Sequence, residues 1–322
     1  MKRLIRSMAL TILCFFLLSQ QVFAVELLIP GGEVIGLELR DDSVIVVAFD
    51  DACGSYARDA GLCVGDEIRS IDGNPIQCIE DVRAALNASE GSVTVTVLRG
   101  GEQKRICFTP ATTSDGPKLG VYLRQGISGI GTVTYYEPDT GKFGTLGHGV
   151  NSSSGKLLCM KEGSAYSTQV LSVKKGQCGQ PGQLRGNGDI LLPIGNLSKN
   201  TSRGVFGILH QPRSGEPLPV ADFEEVRLGK ATIRSTVEGN TVREYSVEIL
   251  KIYPEDRSDC RNFLLKVTDP ELLAATGGIV QGMSGSPIIQ DGKLVGAVTH
   301  VLVNDPTRGY GIFIENMLDA AG

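Results

Sequence analysis

The chain has 322 residues, 41% hydrophobic and 21% charged, with a formal net charge of −5 at pH 7. That balance is ordinary for a globular protein with room for two domains, and its acidic sign argues against nucleic acid as a partner. Forty-one glycines and no tryptophan point to short strands and tight turns, not a helical bundle. At the N-terminus Lys2, Arg3 and Arg6 precede an apolar run from Met8 to Leu18, broken only by Thr11. Val22-Phe23-Ala24 offers a cleavage site before Val25. The run is short for a spanning helix. Residues 1–24 therefore read as a signal peptide or membrane anchor, which would put the remainder outside the cytoplasm. Beyond Cys14 the cysteines are Cys53, Cys63, Cys78, Cys107, Cys159, Cys178 and Cys260, and no pair has zinc-ligand spacing. Cys53 with Cys63 and Cys78 with Cys107 are candidate disulfides; free thiols are the other reading.

Residues 25–110 read as a small binding module. Pro30-Gly31-Gly32 leads into a strand ending at Leu39, and the β-branched run from Ser43 to Phe49 is a second strand. Tyr56 to Leu62 is a short helix closed by Gly61. Ile79, Val82, Ala85 and Leu86 have helical spacing. Val93, Val95 and Val97 alternate with polar residues, Gly100-Gly101 makes a hairpin, and Ile106 to Phe108 closes the unit. Ala60-Gly61-Leu62-Cys63-Val64-Gly65-Asp66-Glu67-Ile68, followed by Ile71-Asp72-Gly73-Asn74-Pro75-Ile76, resembles a bacterial PDZ domain. The resemblance implies a groove between the strand at 36–39 and the helix at 79–86, lined by Ile35, Gly36, Leu37, Leu39, Val82 and Leu86. A peptide would add there as an extra strand, its terminal carboxylate held by loop N–H groups.

Residues 111–117 form a polar linker into a second domain at 118–322. Leu119 to Leu123 and Gly129 to Tyr136 read as strands, and 137–142 is a turn. In Gly144-Thr145-Leu146-Gly147-His148-Gly149 a histidine is bracketed by glycines, which leaves its imidazole unencumbered as a general base. The middle of the chain is a run of short strands, such as Ala165 to Val173, Gly204 to Leu209 and Glu244 to Ile252. Gly282-Met283-Ser284-Gly285-Ser286-Pro287 is a small-residue loop around a serine, and two apolar strands follow it about an Asp291-Gly292 turn. Such a loop can aim successive N–H groups one way, and those of Gly282 and Ser284 would form an oxyanion hole. Ser284 is the candidate nucleophile, ahead of Ser286.

The chain has three histidines. His148 has the Gly-His-Gly setting, His210 precedes Gln211-Pro212 at a strand end, and His300 either edges the cleft or is a satisfied rim residue. A carboxylate that fixes the imidazole tautomer would complete the set. Asp189, Asp222 and Asp269 are the candidates, and the residues alone leave the choice open. Asp269 also suits an N-cap, because Pro270 follows it at the first helical position.

Gly144-Thr145-Leu146-Gly147-His148, Thr268-Asp269, Thr276 to Ile289 and Gly296 to Pro306 resemble the stage IV sporulation protein B peptidases. The resemblance implies a mainly β protein, a PDZ domain followed by a chymotrypsin-like double β-barrel. It implies catalytic roles for His148, Asp269 and Ser284, with no metal or cofactor. It further implies an endopeptidase of endospore formation that cleaves itself and a membrane-associated regulator, between the forespore and mother-cell membranes, to activate a sigma-factor pathway. A catalytically dead PDZ adaptor and a general extracytoplasmic quality-control protease are the alternatives.

Overall fold

The structure, a computed structural model, describes residues 26–152, 155–254 and 259–322, with the side chains of 188–191 left out. Residues 1–24, expected to be a signal peptide or anchor, and the side chain of Asp189 lie outside the described residues.

The N-terminal unit contains β1 (Leu27–Pro30), β2 (Val34–Phe49), α1 (Ser55–Asp59), β3 (Glu67–Ile71), β4 (Asn74–Pro75), α2 (Ile79–Ala88), β5 (Val93–Arg99) and β6 (Glu102–Phe108). Val93, Val95 and Val97 are fully buried on one face of β5, as their period of two requires. They pack with Val44, Val46, Ile68 and Ile71 beneath α2, which buries Val82, Ala85 and Leu86. The stretch read as a linker is instead a hairpin, β7 (Ala111–Thr113) and β8 (Gly116–Lys118).

The chain then forms β9 (Val121–Tyr136), β10 (Lys142–Thr145), β11 (Glu162–Lys174), β12 (Gln183–Thr201), β13 (Gly204–Leu209) and β14 (Leu218–Pro219). Five of these, β9 to β13, join with β2 in a ring of antiparallel pairs in the order β2–β9–β10–β13–β12–β11 and back to β2. β2 and β9 lie side by side from Val34↔Thr132 to Phe49↔Val121, with register shifts along the way. Their inner halves belong to this barrel and their outer halves to the N-terminal sheet, where β2 also pairs with β3. The two strands read from sequence at 119–123 and 129–136 are thus one, because β2 continues beside it without a break.

One expectation is corrected here. Val34 to Leu39 pair with β9 on one side and β11 on the other, so this stretch has no free edge for a peptide. Ile35, Leu37 and Leu39 are 3%, 4% and 1% exposed and belong to the first barrel's core. Boundaries at 110 and 118 therefore cut across shared strands. Of the two readings of the cysteines, the free-thiol one holds: all seven, from Cys53 to Cys260, are unbridged among the described residues. The Cys53 and Cys63 thiols donate instead to Asp50 and to the Gly61 carbonyl.

The second barrel is closed in the order β15 (Gly229–Ser235), β16 (Arg243–Ile252), β17 (Phe263–Val267), β20 (Asp305–Phe313), β19 (Lys293–Leu302) and β18 (Pro287–Gln290). Phe263 meets Phe313 edge to face at 4.5 Å in its core. Asp291 and Gly292, both with φ above +50°, make the turn between β18 and β19. α3 (Pro270–Thr276) precedes the serine loop, and α4 (Ile314–Ala321) ends the chain. The architecture is the expected one, a small sheet-and-helix unit followed by paired barrels.

Candidate active site

The two barrels meet at a cleft of about 390 Å³. Leu37, Leu39, Ile127 and Ile130 of the first barrel form one wall, and Val280, Gly282, Thr299 and Val301 of the second form the other. His148, Ser284 and His300 all face it. Among the described residues no Asp or Glu lines the cleft, whose surface is apolar around His148, Ser284, His300, Gln281 and Thr299.

Each side chain reaches the cleft for a local reason. β10 ends at Thr145, and Leu146 and Gly147 both adopt left-handed backbone (φ 70° and 66°). The chain thereby turns out of the sheet and presents His148. A buried leucine in that region is uncommon, and such conformations concentrate at functional sites. Asn200 secures the segment beyond: its Oδ1 accepts the Val150 N–H, and its Nδ2 donates to the carbonyls of Val150 and Leu158. Ser284 sits between two glycines of unequal importance. At Gly285 (φ +96°) a Cβ would lie 1.9 Å from the Thr132 carbonyl oxygen, so only glycine allows the loop to close on β9.

The carbonyls of the serine loop are all tied down. Thr132 Oγ1 donates to the Gly282 carbonyl (2.8 Å), the Thr132 N–H to that of Ser284 (2.9 Å), and Thr134 Oγ1 to that of Gly285 (2.8 Å). The Met283, Gly285 and Ser286 N–H groups donate to Val280, Val298 and Met283. The N–H groups of Gly282 and Ser284 have no partner among the described residues. They are the pair expected to receive an oxyanion.

His148 is half-buried, and its Nδ1 lies 3.0 Å from the carbonyl oxygen of Gly149. A carbonyl only accepts, so Nδ1 carries the proton and Nε2 keeps the lone pair. Burial holds the His148 pKa below the ordinary imidazole value, with the Gly149 carbonyl opposing that shift. His300 stacks at 5.1 Å from His148 and is pushed down to about 4 by burial, by His148 and by Arg261, against an opposing pull from Asp259. Its Nδ1 is buried without a partner, so His300 is not a satisfied rim histidine. Both rings are neutral at pH 7. The Ser284 hydroxyl donates to the Thr299 carbonyl (2.8 Å) and not to His148.

The structure does not bring Asp269 into this group. Asp269 caps α3: Oδ1 accepts the N–H groups of Glu271 and Leu272 at 3.0 Å each, and Oδ2 accepts that of Ser246 at 3.3 Å. Asp222 caps a short 3₁₀ turn at Phe223–Glu225, and His210 is exposed beyond β13. Ser286 is fully buried and donates to Ser235, which leaves it no access to substrate. The Gly149 carbonyl, Thr132, Asn200 and Asp259 carry no sequence signal. They act through backbone polarity or through contacts made only once the strands pair.

The comparisons with known proteins divide along the chain. A family model described as SpoIVB peptidase S55 matches residues 115–318, and a PDZ domain model matches 53–99. A Rhizobium meliloti (strain 1021) protein named for zinc metalloprotease activity is 36% identical over 118 residues, which is 36% of this chain and 29% of that one. A like-named Agrobacterium fabrum protein is 32% identical over 121 residues, with the same coverage. The chain thus spans under a third of the length of the curated relatives it matches. Among solved structures, the PDZ domain of an SdrC-like protein from Listeria monocytogenes is 22% identical, with a TM-score of 0.23 over 26% of this chain and 87% of that one. A protease of M. tuberculosis in its active form is 15% identical, with a TM-score of 0.38 over 61% of this chain and 75% of that one. With the peptidase model matching well over half of its length, and a PDZ domain model matching on its N-terminal side, the chain belongs to the SpoIVB peptidase S55 family.

Proposed function

We propose that Ser284 is the nucleophile of this peptidase and His148 its general base. The Ser284 oxygen attacks the scissile carbonyl while His148 Nε2 takes the hydroxyl proton. The N–H groups of Gly282 and Ser284 hold the resulting oxyanion. The C–N bond then breaks, His148 returns the proton to the leaving amine, and water repeats the sequence to free the acyl group. The Gly149 carbonyl does for His148 what a carboxylate does in most such enzymes: it fixes the Nδ1-protonated tautomer. A carbonyl carries no full charge, so it stabilises the imidazolium less than a carboxylate would. The observation that carries this reading is the pair of unpartnered N–H groups beside Ser284, in a loop whose carbonyls are all engaged.

The substrate reading follows the family. We infer an endopeptidase of endospore formation, held outside the cytoplasm by its N-terminal segment, that cleaves itself and a membrane-associated regulator upstream of sigma-factor activation. Its PDZ groove runs between α2 and the start of β9. Val82 and Leu86 face Leu119 to Leu123 there, and among the described residues no other strand pairs with the outer edge of Val121 to Leu123. A peptide terminus adding along that edge is the expected ligand.

Mass spectrometry of purified residues 25–322 over time, beside Ser284→Ala and His148→Ala, tests the assignment. Self-nicking or peptide cleavage by the wild type alone supports it. Equal behaviour of all three, with a PDZ-binding peptide present, favours a non-catalytic adaptor.

A further inference from the structure

We propose that Thr132 is a positioning residue, the single clamp that holds the nucleophile loop of one barrel in register with the histidine loop of the other. The inference rests on Ser284 being the nucleophile. Thr132 is fully buried, and every polar atom it owns is committed. Its Oγ1 hydroxyl donates to the Gly282 carbonyl at 2.8 Å, and its N–H donates to the Ser284 carbonyl at 2.9 Å. Its own carbonyl accepts the Thr145 hydroxyl at 2.6 Å and the Leu146 N–H at 3.4 Å. The first pair reaches the loop that carries Ser284. The second reaches the turn that delivers His148. No other described residue bonds to both loops through side chain and backbone together.

The hydroxyl is the consequential atom. An oxyanion hole works only if its N–H groups are fixed before charge develops, because reorienting them during the reaction would cost the energy they are meant to supply. The Ser284 N–H belongs to the peptide plane between Met283 and Ser284. Planes on either side of it, 282–283 and 284–285, are each pinned through their carbonyl by Thr132. Gly282 has φ +98° and no side chain, so nothing intrinsic stops the 282–283 plane from turning over. The Thr132 hydroxyl opposes that rotation at the carbonyl end of the plane, at 2.8 Å, with the longer Met283 N–H bond to Val280 (3.1 Å) at the other end. At the other face, the Thr132 carbonyl fixes Leu146, whose left-handed backbone sets where His148 emerges.

Valine matches threonine in shape and lacks the hydroxyl, whereas serine keeps the hydroxyl and drops the methyl. Thr236 supplies a matched control: it is 1% exposed, and its hydroxyl donates to the Gly32 carbonyl, away from the cleft. Full-length protein of each variant would be treated with a fluorophosphonate probe, in which the serine oxygen bonds to phosphorus and fluoride leaves. The maximal labelling rate and the half-saturating probe concentration are read separately, beside Tm. For Thr132→Val the maximal rate should fall by about 10²-fold, the order expected of a slight misplacement of reacting groups, with half-saturation little changed. Thr132→Ser should regain most of that rate, and Thr236→Val should lose Tm without losing rate. The role of Thr132 is overturned if Thr132→Val labels as fast as wild type. It is overturned equally if the serine and valine variants lose rate alike, or if Thr236→Val loses as much. Labelling of the wild type at a residue other than Ser284 overturns the nucleophile assignment, and the clamp with it.

Discussion

Asp269 separates two accounts of this active site by four orders of magnitude. In the family pattern it is the triad's acid. In the structure it is the N-cap of α3, and its two oxygens take three backbone N–H groups. Removing an acidic N-cap costs about 1 kcal/mol, and loss of its charge at a helix N-terminus adds about 0.3–1 kcal/mol. Asp269→Ala should therefore destabilise the protein by about 1–2 kcal/mol, roughly 2–8 °C in Tm. Asparagine keeps one oxygen for the Glu271 and Leu272 N–H groups but gives up the charge and the bond to the Ser246 N–H, so Asp269→Asn should fall between wild type and Asp269→Ala. Neither substitution touches the Gly149 carbonyl that sets the His148 tautomer. Both variants should then keep kcat near wild type at temperatures where they remain folded. A true triad aspartate behaves otherwise: changing it to asparagine inverts the imidazole tautomer and lowers kcat by about 10⁴-fold with little effect on folding. Steady-state hydrolysis of a peptide substrate, beside a thermal melt of each variant, reads both quantities. A 10⁴-fold loss in Asp269→Asn at unchanged Tm would refute the capping account and the carbonyl's role together.

Other consequences are as direct. Because burial lowers the His148 pKa, the acid limb of kcat/KM should fall below the ordinary imidazole value of about 6.5, and a pH–rate profile checks it. His300 is also lowered, to about 4, so the folded state favours its neutral form. The unfolded chain then binds the extra proton below about pH 6.5, and stability should drop from there down to about pH 4. His300→Gln should flatten that drop in denaturant titrations across the window. Leu39→Ala removes a side chain that is 1% exposed in the first barrel's core. It should cost about 2–5 kcal/mol in denaturant unfolding, where a groove residue would cost only peptide binding. Gly285→Ala forces a Cβ against the Thr132 carbonyl at φ +96° and should cost more than about 2 kcal/mol, with loss of probe labelling.

Much of this molecule is legible in its sequence because local chemistry decides it. The alternation of Val93, Val95 and Val97, the Asp291-Gly292 turn and the helical spacing of Ile79 to Leu86 each depend on neighbours a few residues away. The serine loop and the Gly-His-Gly turn are equally local, and Pro270 after Asp269 announces the cap that the structure contains. What the sequence hides is pairing at long range. The run from Val34 to Leu39 reads as a strand, and nothing local tells it to pair with β9 and β11 in preference to a peptide. The place of Thr132 is hidden for the same reason, since its partners lie 150 residues away in the case of Gly282. The groove edge proposed here, at the start of β9, is equally hidden, because that strand follows α2 in the chain and does not precede it.

The sharing of β2 and β9 also governs how this protein can be divided. A cut between residues 110 and 118 looks clean on paper, yet it takes Val34 to Leu39 out of the wall between β9 and β11. In the C-terminal fragment the first barrel is left as an open five-stranded sheet with two bare edges, and bare edges of this kind recruit other chains. The N-terminal fragment loses Val121 to Gln125, the strand beside which its groove is built. Neither half inherits a working part. Deletion series and domain swaps in this protein consequently report on folding before they report on function, and the smallest unit that can be exchanged intact is the whole run from β1 to α4.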